Sequence, residues 1–263
     1  MTNRSHRAAR AAVTSNRWMH RLVAGTRAVH SGLWLGCLSD DSLMRATKEF
    51  YATEDFYLVD DYNRSGLADW ESRAIAAHFP ESGDVLVPAA GAGREVIGLS
   101  DLGYRAIGYD PSPDLVAKGQ RIIADAGAAA SLHLSSGDGP PEGIEGPFDA
   151  VLFGWGGVSH IRNHSRRISV LSELCDQLSP GGAMIVSFLE RKPGSTRFAL
   201  AYQIATTLRS LLRRTPIEIG DWMDGSYDHY FTFGEISAEL DAAGFDVAVR
   251  HPEPFPHVVG MKR

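Results

Sequence analysis

Asp110 and the glycines Gly91 and Gly93 are the residues whose types and spacing most clearly suggest chemistry. The glycines follow a short apolar run, residues 85–87, of the kind that forms a buried parallel strand. Asp110 ends a second such run, about 20 residues beyond the glycines. An acid at the end of that strand can accept hydrogen bonds from both hydroxyls of a ribose. The stretch therefore predicts a site for a ligand that contains a nucleoside.

The residues after the glycines indicate what else this ligand carries. A dinucleotide site of the form G-x-G-x-x-G holds a pyrophosphate at a helix N-terminus. Here the third glycine is missing, and Glu95 stands at the start of the predicted helix. A carboxylate at that point repels phosphate and favours a ligand with positive charge, so an NAD-binding domain is the weaker alternative.

The same stretch, residues 84–110, resembles motif I of the class I S-adenosylmethionine (SAM)-dependent methyltransferases, with Asp110 matching their ribose-binding acid. The resemblance covers residues 66–190 and continues through SGDG (136–139), FDAVLFGW (148–155) and LSPGGAMIVSF (178–188). It departs from the pattern at Val87 and Ala89, where many members carry an acid and a glycine. The resemblance implies SAM as the cofactor, S-adenosylhomocysteine as the product and a small molecule as the methyl acceptor.

The resemblance also implies roles for single residues. Asp110 would bind the ribose and Asp138 the adenine amino group, while Glu95 is a candidate partner for the ammonium group of SAM. The full predicted cofactor-binding set is Ala89, Gly91, Gly93, Glu95, Asp110, Pro111, Asp138, Gly139, Gly154 and Trp155.

Two histidines are candidates for a catalytic base, which helps when the methyl acceptor carries a proton. His160 is the first choice, because it follows the predicted fourth strand and its glycine-rich loop. His229 is the second, in a tyrosine-rich segment further along the chain. Cysteine and histidine residues with the spacing of zinc ligands are missing from the sequence, so we expect no metal.

Several aromatic residues could line an acceptor pocket, although packing of a cap onto the core would explain them equally well. The predicted substrate-binding residues are Tyr57, Tyr62, Trp155, Trp222 and Tyr230. They point to a hydrophobic or aromatic acceptor without identifying it, and we expect methyl transfer to an oxygen or nitrogen atom.

The elements that must position these residues alternate as strand and helix from residue 84 to residue 190, which is the pattern of an α/β fold. We predict a Rossmann-like, seven-stranded, mostly parallel sheet with helices on both faces. Residues 1–80 are predicted as a helical N-terminal extension or cap, and residues 81–263 as the SAM-binding domain. A helical insertion at about 191–226 would form part of the acceptor pocket, or a homodimer seam. The arginines Arg162, Arg166 and Arg167 are expected on a solvated helix face.

Charge and composition restrict the partners. A net charge of −6 argues against a large nucleic-acid footprint. No Asn-Pro-Pro-Tyr type of motif is present, and we expect no DNA substrate. The two cysteines suggest free thiols and a cytoplasmic protein. No stretch is long and apolar enough for stable membrane insertion, although the first 39 residues carry arginines and no acid, like transit peptides and basic surface helices.

Two further functions stay open on the sequence alone. One is a catalytically inactive SAM-fold protein that serves as a binding or scaffold subunit, which the departures at Val87 and Ala89 leave open. The other is a macromolecular, RNA-directed methyltransferase whose basic N-terminal segment grips RNA or a membrane.

Overall fold

The structure is a computed structural model that describes residues 2–54, 57 and 59–263. The strands are β1 Asp84–Pro88, β2 Arg105–Asp110, β3 Ala130–Leu134, β4 Phe148–Phe153, β5 Leu178–Ser187, β6 Asp221–Asp224, β7 Ser226–His229, β8 Phe245–His251 and β9 His257–Lys262. The helices are α1 Thr2–Cys37, α2 Asp40–Thr53, α3 Asp60–Asn63, α4 Asp69–His78, α5 Arg94–Asp101, α6 Pro113–Ala126, α7 His164–Asp176, α8 Thr196–Leu211 and α9 Phe233–Ala242, with a 3₁₀ turn at Gly157–His160.

Seven strands form one sheet in the order β3-β2-β1-β4-β5-β9-β8. The strands β1 to β5 are parallel, and β9 and β8 close the sheet in the antiparallel sense. The central strands are almost continuously apolar, because a parallel sheet is buried on both faces. The predicted mostly parallel seven-stranded sheet is confirmed.

Helices cover both faces of this sheet. On one face, α4, α5 and α6 contribute Trp70, Val96 and Val116 to a core beneath the strands. On the other face, α7 and α9 pack Leu171 and Leu240 against the same strands. The helix α4 lies within the predicted N-terminal cap, yet its apolar face belongs to the core of the sheet.

The helix α1 lies against α8 and β6. Gly32 and Gly36 permit this close packing, because a Cβ atom added at either glycine would lie within 2.8 Å of Ala201 or Leu208. Phe198 and Ala201 are buried on the α8 side of the contact. Part of the α8 stripe that the sequence predicts as a possible homodimer seam is therefore covered by α1 of the same chain, whereas Leu200 and Leu211 stay exposed. Within the described residues, no helix is long and apolar enough to cross a membrane.

The expectation that Arg162, Arg166 and Arg167 face solvent is wrong for two of them. The side chain of Arg162 is 12% exposed and pairs with Asp40. The second exception is Arg167. Its side chain is 1% exposed and is paired with Glu239 of α9 at 2.7 Å. A second guanidinium contact of 2.7 Å reaches Glu218, which precedes β6. Arg166, one position earlier, does lie at the surface. Adjacent residues on a helix point about 100° apart, so one arginine enters the core while its neighbour stays in water.

We expect Arg167→Met to lower the free energy of unfolding by about 3–5 kcal/mol, because it removes the guanidinium partner of the buried Glu239 and leaves only the contact with His164. Arg166→Met is the matched control and should cost about 0–1 kcal/mol, since its ion pairs are exposed. Urea denaturation followed by circular dichroism measures both. Equal losses for the two variants would contradict the assignment of Arg167 to the core.

Candidate functional site

A cavity lies at the carboxyl ends of β1, β2 and β4, where open α/β sheets bind ligands. Its volume is about 1150 Å³ including the open mouth, and residues of α2 together with Tyr57 line it from the N-terminal part of the chain. Many of the residues predicted from the sequence line this cavity, namely Ala89, Gly91, Glu95, Asp110, Pro111, Asp138, Gly154, Trp155, His160, Tyr57 and Tyr62. The fold therefore brings together side chains from distant parts of the chain.

Five predicted residues do not line this cavity. Gly93 lies behind it as the N-cap of α5, and Gly139 faces the carboxylate of Glu173. The remaining three are His229, Trp222 and Tyr230, which belong to the β6–β7 hairpin and the residue after it.

The turn after β1 has left-handed backbone conformations at Ala89 (φ 49°), Gly91 (φ 54°) and Gly93 (φ 83°). Such values are easy for glycine and costly for alanine. Ala89 stands where many methyltransferases carry glycine, and its methyl group lies next to Gly157, where an added Cβ would approach it to 2.9 Å. The absence of a side chain at Gly157 thus makes room for the departure at Ala89.

Asp110 is held by the backbone around it. Its Oδ2 accepts a hydrogen bond from the Gly91 N–H at 2.9 Å, and its Oδ1 accepts one from the Ser112 N–H at 2.8 Å. Burial raises the pKa of this carboxyl, and the two N–H donors oppose that rise. The two bonds fix the carboxylate at the end of β2, where it lines the cavity.

A buried ion cluster of Glu71, Arg94 and Glu95 forms a second part of the wall. The Arg94 guanidinium contacts Glu71 at 2.7 Å and Glu95 at 2.8 Å. Burial and the neighbouring Glu71 raise the pKa of Glu95, whereas the charge of Arg94 lowers it. Arg94 also lies over the ring of Trp155, 5.1 Å from its centroid. With two carboxylates and one guanidinium, the ionised cluster carries one net negative charge.

The sequence pattern did not identify Glu71 and Arg94 as site residues. Arg94 is adjacent to Glu95 inside the motif, so its position could have suggested a role. Glu71 gave no signal, because it lies 23 residues from Arg94 on a different element and meets it only in the folded chain.

His160 lies between Tyr51 and Asp228 at another part of the cavity. Its Nδ1 is 3.1 Å from Asp228 Oδ1, and its Nε2 is 2.9 Å from the Tyr51 hydroxyl. Burial lowers the pKa of His160, but the hydrogen bond and charge of Asp228 outweigh that effect and leave the pKa raised. The carboxylate also favours a hydrogen on Nδ1, so the Nε2 lone pair is directed toward Tyr51.

Tyr51 packs its ring against both His160 and Tyr57, with centroids 5.0 Å apart in each pair. Burial raises the pKa of Tyr51, which keeps its hydroxyl protonated. Tyr51 comes from α2 and Asp228 from β7, and the sequence identified neither. The signal that could have found them is weak, since 109 residues separate Tyr51 from His160.

His229 is buried away from the cavity, contrary to its predicted role as a base. Its Nδ1 lies 2.7 Å from Asp221, which also accepts a hydrogen bond from the Tyr227 hydroxyl at 2.7 Å. Burial raises the pKa of Asp221, and the contact with His229 outweighs it and leaves the pKa lowered. His229 therefore closes a structural network inside the hairpin.

Glu218, Asp221 and His229 offer ligand atoms within 4.8 Å of one another, the spacing of a metal site. Each carboxylate already has a protein partner, because Arg167 contacts Glu218 and His229 contacts Asp221. This pairing would have to be broken before a cation could bind.

Trp222 and Tyr230 also lie elsewhere than predicted. Both rings pack on Phe198 of α8, with centroids 5.1 Å away. Trp222 is buried in this contact. The two residues join the hairpin to α8, so we assign them to packing rather than to the acceptor pocket.

The sequence matches no protein-family model and no curated protein. Solved structures resemble the fold clearly. A SAM-dependent methyltransferase from Methanosarcina mazei has a TM-score of 0.60 at 14% identity, and the match covers 75% of this chain and 98% of that one. The 1,6-didemethyltoxoflavin-N1-methyltransferase of Burkholderia thailandensis, solved with its substrate and S-adenosylhomocysteine, has a TM-score of 0.59 at 18% identity, over 84% of this chain and 87% of that one.

A third similar structure is that of a SAM-bound amino pentose methyltransferase from Micromonospora echinaspora. It has a TM-score of 0.55 at 15% identity, and the match covers 82% of this chain and 97% of that one. The fold is therefore that of the class I SAM-dependent methyltransferases, as the sequence motifs indicate.

We expect the pKa of His160 to be raised above the ordinary value of a histidine and to fall in Asp228→Asn. Removing the carboxylate removes the charge that stabilises the imidazolium, while the cost of burial remains. Histidine NMR titration measures this shift. Asp224→Asn, in the same hairpin but at the surface, is the control that should leave the pKa of His160 unchanged. A fall of the same size in both variants would contradict a specific pairing with Asp228.

Proposed function

We propose that this chain is a SAM-dependent methyltransferase that transfers a methyl group to an oxygen or nitrogen atom of a small molecule. The observation that carries the proposal is one cavity lined both by Asp110, whose carboxylate is fixed by two backbone N–H groups, and by His160, whose ring is oriented by Asp228. SAM supplies a methyl group on a sulfonium sulfur that is already activated for transfer.

The residues around Asp110 fit SAM. Each Asp110 oxygen accepts one backbone N–H, and a carboxylate oxygen has a second lone pair for a ribose hydroxyl. The space beside Gly91 is open, since an added Cβ would have no neighbour within 4 Å. Asp138, on the same wall, is the candidate partner for the adenine amino group.

The Glu71–Arg94–Glu95 cluster is the proposed partner of the ammonium group. Its net negative charge lies in a buried wall, where electrostatic attraction is stronger than in water. In this proposal the cluster takes the place of the acid that many members carry at the position of Val87.

The acceptor would lie near His160, Tyr57 and Trp155, which line the same cavity. Removal of its proton would pass through Tyr51. The proton leaves the acceptor oxygen or nitrogen for the Tyr51 oxygen, while the Tyr51 proton moves to Nε2 of His160. Asp228 stabilises the resulting imidazolium. The chain otherwise contributes orientation and exclusion of water, which alone can supply several kcal/mol.

Asp110→Ala should weaken SAM binding by about 100-fold or more, because it removes the acceptor of two ribose hydroxyls. Isothermal titration calorimetry with SAM and with S-adenosylhomocysteine measures the loss. Asp114→Ala, an exposed acid at the start of α6, is the matched control and should bind as the intact chain does. If the intact chain binds neither compound, the methyltransferase assignment is wrong.

His160→Ala should retain SAM binding and lower kcat by about 10²–10⁴-fold. Activity of the intact chain should fall as the pH drops through the raised pKa of His160, where the base becomes protonated. Tyr51→Phe should lower kcat comparably, since it interrupts the proton path. His251→Ala, an exposed histidine, should leave kcat unchanged.

A labelled-methyl assay over a panel of small hydroxyl and amine acceptors provides the rate. SAM binding without turnover on any acceptor would favour the scaffold alternative. Full activity in Tyr51→Phe would exclude the relay and leave direct proton transfer to His160.

A further inference from the structure

The outer face of α1 is apolar and exposed, although the opposite face of the same helix is buried. The exposed residues form an apolar arc of Trp18, Met19, Leu22, Val23, Val29, Leu33 and Trp34. Leu22 is 64% exposed, Trp18 59% and Leu33 47%. The arc covers roughly 160° of the helix circumference at 3.6 residues per turn.

The buried face of α1 is centred on Ala28, Ser31 and Leu35, each 0% exposed. Ser31 accepts a hydrogen bond from the Met223 N–H at 2.9 Å, which anchors the helix to β6. A helix with one buried face needs only polar residues on the other face. Packing among the described residues therefore does not account for the apolar arc.

Charge is distributed unevenly between α1 and the remainder of the chain, which we call the body. The first 39 residues contain six arginines and no aspartate or glutamate. The remainder of the chain carries all 32 acidic residues against 20 lysines and arginines. A basic helix is thus attached to an acidic body, and its complement is a negatively charged surface.

The direction of α1 separates the two charges. Every residue described from Val13 to Val23 is exposed, so this part of the helix extends beyond the body. At 1.5 Å per residue it reaches about 16 Å. An anionic surface would repel the acidic remainder of the chain. The extension places part of the basic helix beyond that remainder.

We propose that the apolar arc of α1 docks on an anionic lipid surface, with the helix lying in the plane of the interface. Membrane-surface helices combine an apolar face containing tryptophan and leucine with arginines on the flanks. Here Trp18 and Trp34 stand near the two ends of the arc, and tryptophan prefers the level of the lipid headgroups. Arg21 is exposed beside the arc and can contact lipid phosphates, whereas Arg27, also exposed beside the arc, is paired with Asp224.

The same features argue against a second copy of the chain as the partner that covers the apolar arc. Two arcs facing each other would bring two arginine-rich helices together without an acidic residue on either. Association through α1 would then have to overcome repulsion between like charges. A lipid surface supplies both the apolar layer and the negative charge at once.

The test is co-sedimentation of the full chain with two kinds of vesicle at low and physiological salt. One kind is pure phosphatidylcholine, and the other contains phosphatidylglycerol. We expect binding to the anionic vesicles, weakened by salt, and at most weak binding to the neutral ones. Leu22→Glu/Leu33→Glu should reduce binding at least about tenfold, because it places two charges in the apolar layer.

The matched control is Leu102→Glu/Leu211→Glu, which adds the same two charges at leucines that are 51% and 76% exposed elsewhere. Its binding should equal that of the intact chain, and thermal unfolding should show that both variants are folded. In Trp18→Phe/Trp34→Phe, the blue shift of tryptophan emission on adding anionic vesicles should disappear.

Three results would overturn the proposal. The first is no binding of the intact chain to anionic vesicles, and the second is unchanged binding in Leu22→Glu/Leu33→Glu. The third is a concentration-dependent dimer, or salt-dependent binding to an RNA homopolymer, without vesicle binding. None of these results bears on SAM binding, so the proposed methyltransferase activity is judged separately.

Discussion

The hydrogen bond from the Gly91 N–H to Asp110 joins the turn after β1 to the end of β2, and the rest of the site is arranged around it. The parallel register sets Pro88 opposite Tyr109, which brings the turn beside the carboxylate. The positive φ at Gly91 is needed to direct its N–H toward Asp110. A carboxylate buried without such donors would be protonated more easily and would bind a ribose less well. The two backbone N–H groups thus stabilise the ionised form of Asp110.

Segments outside the β1–β2 unit complete the cavity through one buried and one partly buried ion pair. Glu71 from α4 meets Arg94 at the start of α5, and Asp228 from β7 meets His160 after β4. Each pair joins elements that come from different parts of the chain. An ion pair of this kind keeps its charges only if both partners are buried together, because a single buried charge is costly. The same contacts therefore hold α4 and β7 against the cavity wall and set the electrostatics of the cavity.

The residues that line the cavity around Asp110 were largely predictable from the sequence, and those around His160 were not. Asp110, Gly91 and Asp138 lie in short motifs whose spacing is fixed by the length of a strand and a turn. His160 was found because it follows β4 directly. His229, Trp222 and Tyr230 have suitable chemistry, but their hairpin turns toward α8, where they pack instead. Arg167 was expected in solvent because a sequence pattern cannot show that Glu239 lies across from it.

The sequence by itself determined the order of strands and helices from β1 to β5, the glycine turn and the acid at the end of β2, but not the β6–β7 hairpin. These depend on hydrophobic periodicity and on backbone requirements that act over a few residues. Only the tertiary structure decided which charges are buried together, which histidine is oriented, and which face of α1 stays uncovered. Those outcomes depend on contacts between residues far apart in the chain, such as Tyr51 and His160, 109 positions apart, and Ser31 and Met223, 192 positions apart. The burial that sets a pKa or a packing energy arises only when such residues meet.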